Sequence, residues 1–163
     1  MRVTWQGLTV FLATGFGVGY CPKIPGTVGT LLGAVLYFGL STHPWSLYVL
    51  TLGIMLVVGV WLCEQAAASF GDPDPKEVVW DEMTGYLVAM AAAPRSLAWA
   101  AAGFVVFRLF DIIKPGPVGW AERRFSGGAG IMLDDLLAGL LTMFVLGVAQ
   151  WAMYHDMIQS IYD

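Results

Sequence analysis

Residues 127–139 read Gly127-Gly128-Ala129-Gly130-Ile131-Met132-Leu133-Asp134-Asp135-Leu136-Leu137-Ala138-Gly139, and this stretch decides the arrangement of the chain. A glycine-rich turn precedes two adjacent aspartates, and a long apolar run, residues 136–152, follows them. Carboxylates at the mouth of a hydrophobic helix are costly unless something binds them. One carboxylate could cap the helix, but two side by side repel each other, and a bound cation would relieve that repulsion. The stretch therefore predicts a membrane helix that begins at a metal site.

The composition is that of a membrane protein. The chain has 163 residues, of which 58% are hydrophobic and 12% are charged, and its mean hydropathy is +0.70. A soluble domain has about a quarter of its residues charged. The net charge of −4 and the lack of a basic stripe exclude nucleic acid as a partner. We expect one membrane-embedded domain over residues 1–163.

The hydropathy pattern predicts an all-α fold. We expect a polytopic integral membrane helical bundle with about four membrane-embedded helices after a short N-terminal helix, some of the spans being short or re-entrant. The apolar segments are residues 3–19, 31–40, 47–68, 83–93, 97–110 and 131–154. Segment 47–68 is the clearest span, because crossing a bilayer takes about twenty apolar residues. Residues 22–30 and 111–130 are interpreted as loops because of their prolines, glycines and charges.

Segments 83–93 and 97–110 are either one kinked span or a helical hairpin that turns at Pro94-Arg95. In a hairpin, only Arg95 lies on the far side of the membrane, and five cations lie on the near side. Those five are Lys23, Lys76, Lys114, Arg123 and Arg124. This asymmetry follows the positive-inside rule and places the near side in the cytoplasm. A single span would separate the acidic residues of the chain, so we favour the hairpin.

On this topology, carboxylates from two helices meet at one membrane face. The candidate metal ligands are Asp81, Glu82, Asp134 and Asp135. Gly85 follows the first of these by four residues, and Gly139 follows the last by four. Residues at i and i+4 share a helix face, and glycine there lets a neighbouring helix approach closely. The two acidic helix ends could therefore share one ion, although small-residue packing is also common in membranes.

Cations are expected beside these carboxylates. Arg108, Asp111 and Lys114 are spaced three residues apart. Either the two cations extend towards the membrane surface and one of them pairs with Asp111, or the group forms a clamp that binds a phosphate. The position of Arg108 inside an apolar run favours the clamp, with Asp111 orienting a donor or binding metal. The loop carrying Lys23 and Thr27 offers further donors and backbone N–H groups for an anion.

Five sequence blocks, taken together, resemble the phosphatidylglycerophosphatase A family. They are residues 13–17 (ATGFG), 22–31 (PKIPGTVGTL), 78–85 (VVWDEMTG), 107–115 (FRLFDIIKP) and 127–139. The resemblance implies a bacterial inner-membrane enzyme that requires Mg²⁺. Such an enzyme removes the terminal phosphate of phosphatidylglycerophosphate, a membrane lipid, and yields phosphatidylglycerol. It also implies that Asp74 occupies a position, ahead of the Asp81-Glu82 pair, where the family tends to carry an acidic residue.

The residue patterns and the resemblance together give a hypothesis of metal-assisted phosphate-ester hydrolysis at the cytoplasmic face. The predicted catalytic residues are Asp81, Glu82, Asp111 and Asp135, and the predicted phosphate ligands are Lys23, Thr27, Arg108 and Lys114. The predicted cofactor is Mg²⁺, held by the four candidate metal ligands. The alternative is a small membrane carrier for a cation or metabolite that uses the same carboxylates, but a carrier does not explain the clustered cations. No oligomeric state is predicted.

Overall fold

The computed structural model describes the backbone of residues 5–162 and the side chains of residues 5–160. Within that range the fold is all-α, with seven α-helices and no strand, so the predicted fold class is confirmed. The helices are α1 (Trp5–Ala13), α2 (Pro25–Leu40), α3 (Trp45–Phe70), α4 (Trp80–Met90), α5 (Leu97–Ile113), α6 (Pro117–Arg124) and α7 (Gly127–Tyr162).

The short helix α4 is the centre of the bundle. Every residue from Met83 to Met90 is buried, and α4 packs against α2, α3, α5 and α7. Two tyrosine hydroxyls tie neighbouring helices together at this centre: Tyr48 donates to the Leu87 carbonyl (2.6 Å) and Tyr86 to the Ala100 carbonyl (2.9 Å). A helix that is apolar on all sides is buried rather than amphipathic. Because protein surrounds α4, its eleven residues do not have to match the thickness of a bilayer.

Helices α4 and α5 form the predicted hairpin. Helix α4 ends at Met90, and α5 begins at Leu97 after a short turn. The Ser96 hydroxyl caps α5 by accepting a hydrogen bond from the Trp99 N–H. Glu82 at the start of α4 lies 3.9 Å from Arg108 near the end of α5, so the two helices are antiparallel. The alternative of one kinked span is therefore wrong.

Two helices are long and apolar enough to cross a membrane, namely α3 and residues Gly127–Ser160 of α7. Large apolar side chains point outward along the bundle; for example, Val57 on α3 is 76% exposed and Phe144 on α7 is 69% exposed. Exposed apolar surface on this scale marks an interaction surface, and together with the two helices it indicates a membrane protein. The finer prediction of about four embedded helices is taken up below as part of the proposed function.

The last helix begins earlier than predicted. Helix α7 starts at Gly127, so the glycine-rich stretch is its first turn, and Asp134 and Asp135 lie about two turns inside the helix. Contacts made by this turn compensate for the poor helix propensity of glycine. The Glu64 carboxylate on α3 accepts a hydrogen bond from the Gly128 N–H (2.6 Å) at the positive end of α7. Tertiary contacts therefore turn an expected loop into helix.

Two other helices begin inside segments expected to be loops, whereas the short N-terminal helix is present as predicted. Helix α2 begins at Pro25, inside the expected loop 22–30, and α6 begins at Pro117, inside the expected loop 111–130. Proline at the first position of a helix is preorganised for it and removes an N–H that would have no partner. The apolar segment 3–19 contains α1 followed by a 3-10 turn, Val18–Tyr20; residues 3 and 4 lie outside the described range.

Candidate active site

A polar cavity of about 500 Å³ lies where the first turns of α2 and α4 meet the last turn of α5 and the acidic stretch of α7. All nine site residues predicted from the sequence line this cavity. They are Lys23, Thr27, Asp81, Glu82, Arg108, Asp111, Lys114, Asp134 and Asp135. The structure therefore brings together side chains that are up to 112 residues apart in the numbering of the chain (23 to 135).

Three carboxylates form a compact cluster in the wall of this cavity. One oxygen each from Asp81, Glu82 and Asp135 lie within 4.8 Å of one another. Asp81 is 8% exposed and Asp135 is 3% exposed, so water screens their mutual repulsion poorly. Like charges held this close in a protein interior require compensation.

The carboxylate cluster has oxygens that no described residue satisfies. Asp81 Oδ1, Glu82 Oε2 and Asp135 Oδ2 are buried and receive no hydrogen bond from residues 5–160. A buried unpaired acceptor costs free energy, and such groups usually have a functional explanation. Carboxylate oxygens are the donors that Mg²⁺ prefers, and Mg²⁺ usually takes one or two carboxylates and keeps several waters. This donor set therefore fits a Mg²⁺ ion.

The close approach of α4 and α7 depends on the two glycines singled out in the sequence. A Cβ atom on Gly85 would lie 2.7 Å from the Asp135 carbonyl oxygen, and one on Gly139 would overlap the Gly85 carbonyl oxygen. Both distances are far below ordinary van der Waals contact. The prediction that these glycines let the acidic helices meet is confirmed.

Arg108 lies against the carboxylate cluster. Its guanidinium forms an ion pair with Asp111, one turn further along α5, and lies 3.9 Å from Glu82. A Cβ atom on Gly26 would overlap Glu82 Oε1 and would lie 2.9 Å from Arg108 Nη1. A side chain at position 26, in the first turn of α2, would therefore have to displace the Glu82 carboxylate and the Arg108 guanidinium from these positions. The first-turn N–H groups of a helix have no intrahelical acceptor, so that turn also presents donors to the cavity.

Lys114 is held by two carboxylates. Its ammonium donates to Asp134 Oδ2 (2.7 Å) and to Glu122 Oε1 (2.9 Å). Partial burial lowers the pKa of Lys114, but the hydrogen bonds to Asp134 and Glu122 outweigh that effect and leave the pKa raised. The ammonium therefore stays charged at neutral pH. The second Asp134 oxygen accepts the Asp135 N–H (3.0 Å), so both oxygens of Asp134 already have donors within the protein.

The structure adds two charged residues, Lys76 and Glu122, that the sequence did not assign to the site. Lys76 and Pro75 line the cavity beside Asp74, and Glu122 on α6 holds Lys114. The loop carrying Lys76 is anchored at its end by a hydrogen bond from the Val79 N–H to the Ala13 carbonyl (3.0 Å). In the sequence this loop is only a polar stretch, and Glu122 lies in a segment interpreted as loop. The one signal in the sequence that this loop belongs to the site was the acidic position that the resemblance implies at Asp74.

Comparisons with known proteins find one matching family model and several similar sequences. The family model for phosphatidylglycerophosphatase A matches residues 11–150. The chain is 41% identical to phosphatidylglycerophosphatase A of Escherichia coli strain K12, over 83% of this chain and 79% of that protein. It is 36% identical to the protein of that name from Haemophilus influenzae, over 87% and 88% of the two chains. A putative phosphatidylinositol-3-phosphatase of Bacteroides thetaiotaomicron is 37% identical, over 88% and 94%. No solved structure matches the chain.

Proposed function

Because this chain belongs to the phosphatidylglycerophosphatase A family, we propose that it hydrolyses the terminal phosphomonoester of phosphatidylglycerophosphate with the help of Mg²⁺. The products are phosphatidylglycerol and inorganic phosphate. The chain is an enzyme, a phosphatase of the hydrolase class, as the names of its relatives state. The comparisons do not favour the alternative of a membrane carrier.

The observation that carries the proposal is the cluster of Asp81, Glu82 and Asp135. One oxygen from each lies within 4.8 Å of the others, each residue has a buried oxygen without a hydrogen bond among the described residues, and cations line the same cavity. These three residues would hold the Mg²⁺ ion. When bound, the ion supplies charge for a phosphate oxygen and lowers the pKa of an attacking water. Asp134 was among the ligands predicted from the sequence, but its two oxygens are engaged by Lys114 and the Asp135 N–H. We assign it the role of positioning Lys114.

The remaining residues bind and orient the phosphate. Arg108 and Lys114 supply positive charge inside the cavity, and Asp111 and Asp134 fix the directions in which those cations point. Lys23 lies on the exposed rim, and Thr27 lies in the first turn of α2. Preorganised donors of this kind stabilise the charge that shifts between phosphate oxygens in the transition state. Either Glu82 or Asp135 can accept the proton of the water.

The decisive experiment is phosphate release from phosphatidylglycerophosphate by the detergent-purified protein, in Mg²⁺ and in EDTA. We expect release that depends on Mg²⁺, because among the described residues Arg108 alone forms an ion pair with the carboxylate cluster, and Asp111 shares its charge. No release from a folded sample with lipid present would refute the proposal, and equal release in EDTA would refute its metal part.

The same assay should compare a second substrate. The relative from Bacteroides thetaiotaomicron is named for phosphatidylinositol 3-phosphate, which is also a phosphomonoester on a glycerophospholipid. The proposal expects faster release from phosphatidylglycerophosphate, in line with the two relatives named for it. Faster release from phosphatidylinositol 3-phosphate would keep the lipid-phosphatase class and change the substrate.

We further propose that the protein lies in the inner membrane of a bacterium with α2, α3, α5 and α7 embedded and the cavity at the cytoplasmic face. Among the described residues, the lysines and arginines other than Arg95 lie at the cavity or on the neighbouring helix α6, as the positive-inside rule requires. In a variant that lacks Cys21, a membrane-impermeant thiol reagent added to spheroplasts should label Arg95→Cys and not Arg123→Cys. Labelling of Arg123→Cys alone would reverse the orientation.

A further inference from the structure

An apolar groove of about 370 Å³ runs along the surface between α3 and α7. Apolar side chains alone line it, among them Leu56 and Val60 on α3, and Ala129 and Leu133 on α7. Phe125, two residues before the start of α7, also lines the groove. The groove lies outside the polar cavity and holds none of the residues assigned to catalysis.

A small chamber of about 160 Å³ borders both this groove and the polar cavity. The chamber shares Asp74 and Asp134 with the cavity, and it shares Phe125 with the groove. The three spaces therefore form one series from charged to apolar. Its order is the order of a phospholipid molecule, in which a phosphorylated headgroup is followed by a glycerol ester region and then by acyl chains.

One stretch of α7, residues 129–136, lines all three spaces. Asp135 faces the polar cavity, Ile131 faces the small chamber, and Leu133 faces the groove. Successive residues of a helix are rotated by about 100°, so adjacent positions reach different faces of α7. The same rigid element thus sets the position of the carboxylate cluster relative to the groove.

We propose that the groove between α3 and α7 is the binding site for one acyl chain of the lipid substrate, whose headgroup occupies the polar cavity. The inference rests on the proposed function and adds to it a subsite for the chain. The polar cavity alone would accept any soluble phosphomonoester of the right size, whereas the groove adds affinity that only a chain-bearing substrate can use. Binding energy from such a remote part of a substrate positions its reacting end.

The first test is a groove-filling variant, Ala129→Trp, with Ala152→Trp as the control. Both alanines are exposed on α7, but Ala152 lies about 35 Å further along the helix. The measured quantity is the ratio of kcat/KM for dioleoyl over dihexanoyl phosphatidylglycerophosphate. Since even one methylene in an apolar pocket is worth about tenfold or more, we expect Ala129→Trp to lower this ratio at least about tenfold, and Ala152→Trp to leave it unchanged. A ratio that Ala129→Trp does not change would overturn the inference.

The second test does not need turnover. A phosphatidylglycerophosphate with a photoreactive group on one acyl chain is crosslinked to the wild-type protein in EDTA, and the labelled peptides are identified by mass spectrometry. We expect label within residues 56–60 and 129–136 that excess unlabelled substrate removes and excess phosphatidylcholine does not. Label that both lipids remove equally would make the groove a surface for bulk lipid. Absence of label in residues 56–60 and 129–136 would favour a second copy of the chain as the partner that covers the groove. Either of these two results overturns the inference. Failure of the proposed function appears separately, as absence of phosphate release by the wild type.

Discussion

Asp135→Asn is expected to lower phosphate release more than about a hundredfold, since changes outside the ligand shell of a metal site already cost about 10- to 100-fold. Asp135 contributes an unpaired oxygen to the carboxylate cluster and is almost fully buried. Asparagine has nearly the same shape, so packing is retained. It also removes one of the repelling charges, and the variant should unfold in EDTA at the same temperature as the wild type or at a higher one.

Asp156→Asn is the matched control for this variant, because Asp156 is an exposed aspartate on the same helix, far from the cavity. It should retain wild-type activity. Thermal unfolding in the presence and absence of Mg²⁺ gives an independent readout, because a ligand that binds only the folded state raises the unfolding temperature. The Mg²⁺-dependent rise should be present in Asp156→Asn and reduced or lost in Asp135→Asn. Near-normal activity of Asp135→Asn would remove Asp135 from the site.

Gly139→Ala is expected to destabilise the protein and to inactivate it. The added methyl group would overlap the Gly85 carbonyl oxygen, so α4 and α7 must move apart. Overpacking of this kind costs about 1–3 kcal/mol. The contact lies about 6 Å along the helix from Asp135, so the same movement separates Asp135 from the two carboxylates on α4. A displacement of about 1 Å can lower a rate about a hundredfold, and we expect a loss of that order.

Gly147→Ala separates this effect from the general consequence of replacing a helical glycine. A Cβ atom on Gly147 would meet nothing within 4 Å, and the residue lies two turns beyond Gly139 on α7. Alanine there should stabilise the helix by up to about 1 kcal/mol and leave activity unchanged. Equal unfolding temperatures and rates for the two variants would show that the close approach of α4 and α7 does not matter to the site.

Much of the candidate site could be predicted because charged residues are rare in this chain. A carboxylate or an arginine inside an apolar segment has few explanations, so Asp81, Arg108 and Asp135 stand out in the sequence alone. The spacing of Gly85 and Gly139 then indicates which helices meet. Lys76 and Glu122 could not be found in the same way, because they lie in polar segments where a charged residue needs no explanation.

The partners of the charged residues could not be predicted either. Asp134 and Asp135 are adjacent in the chain, and the sequence assigns both to the metal. In the structure, Asp135 faces the carboxylate cluster, whereas Asp134 holds Lys114. Neighbouring residues on a helix point about 100° apart, so the rotation of α7 about its axis decides which carboxylate meets which cation. That rotation is set by packing against α3 and α4.

The sequence by itself determined the all-α class, the membrane character and the set of charged residues that meet in one cavity, and it favoured the antiparallel pair α4 and α5 over one kinked span. These properties follow from hydropathy and from the cost of burying charge, and both are local to the chain. Tertiary structure decided where α7 begins, because the distant Glu64 carboxylate, by accepting the Gly128 N–H, can stabilise helix in a sequence rich in glycine. It also decided how the carboxylates are divided between ion and lysine, because that depends on distances between helices that no single segment encodes.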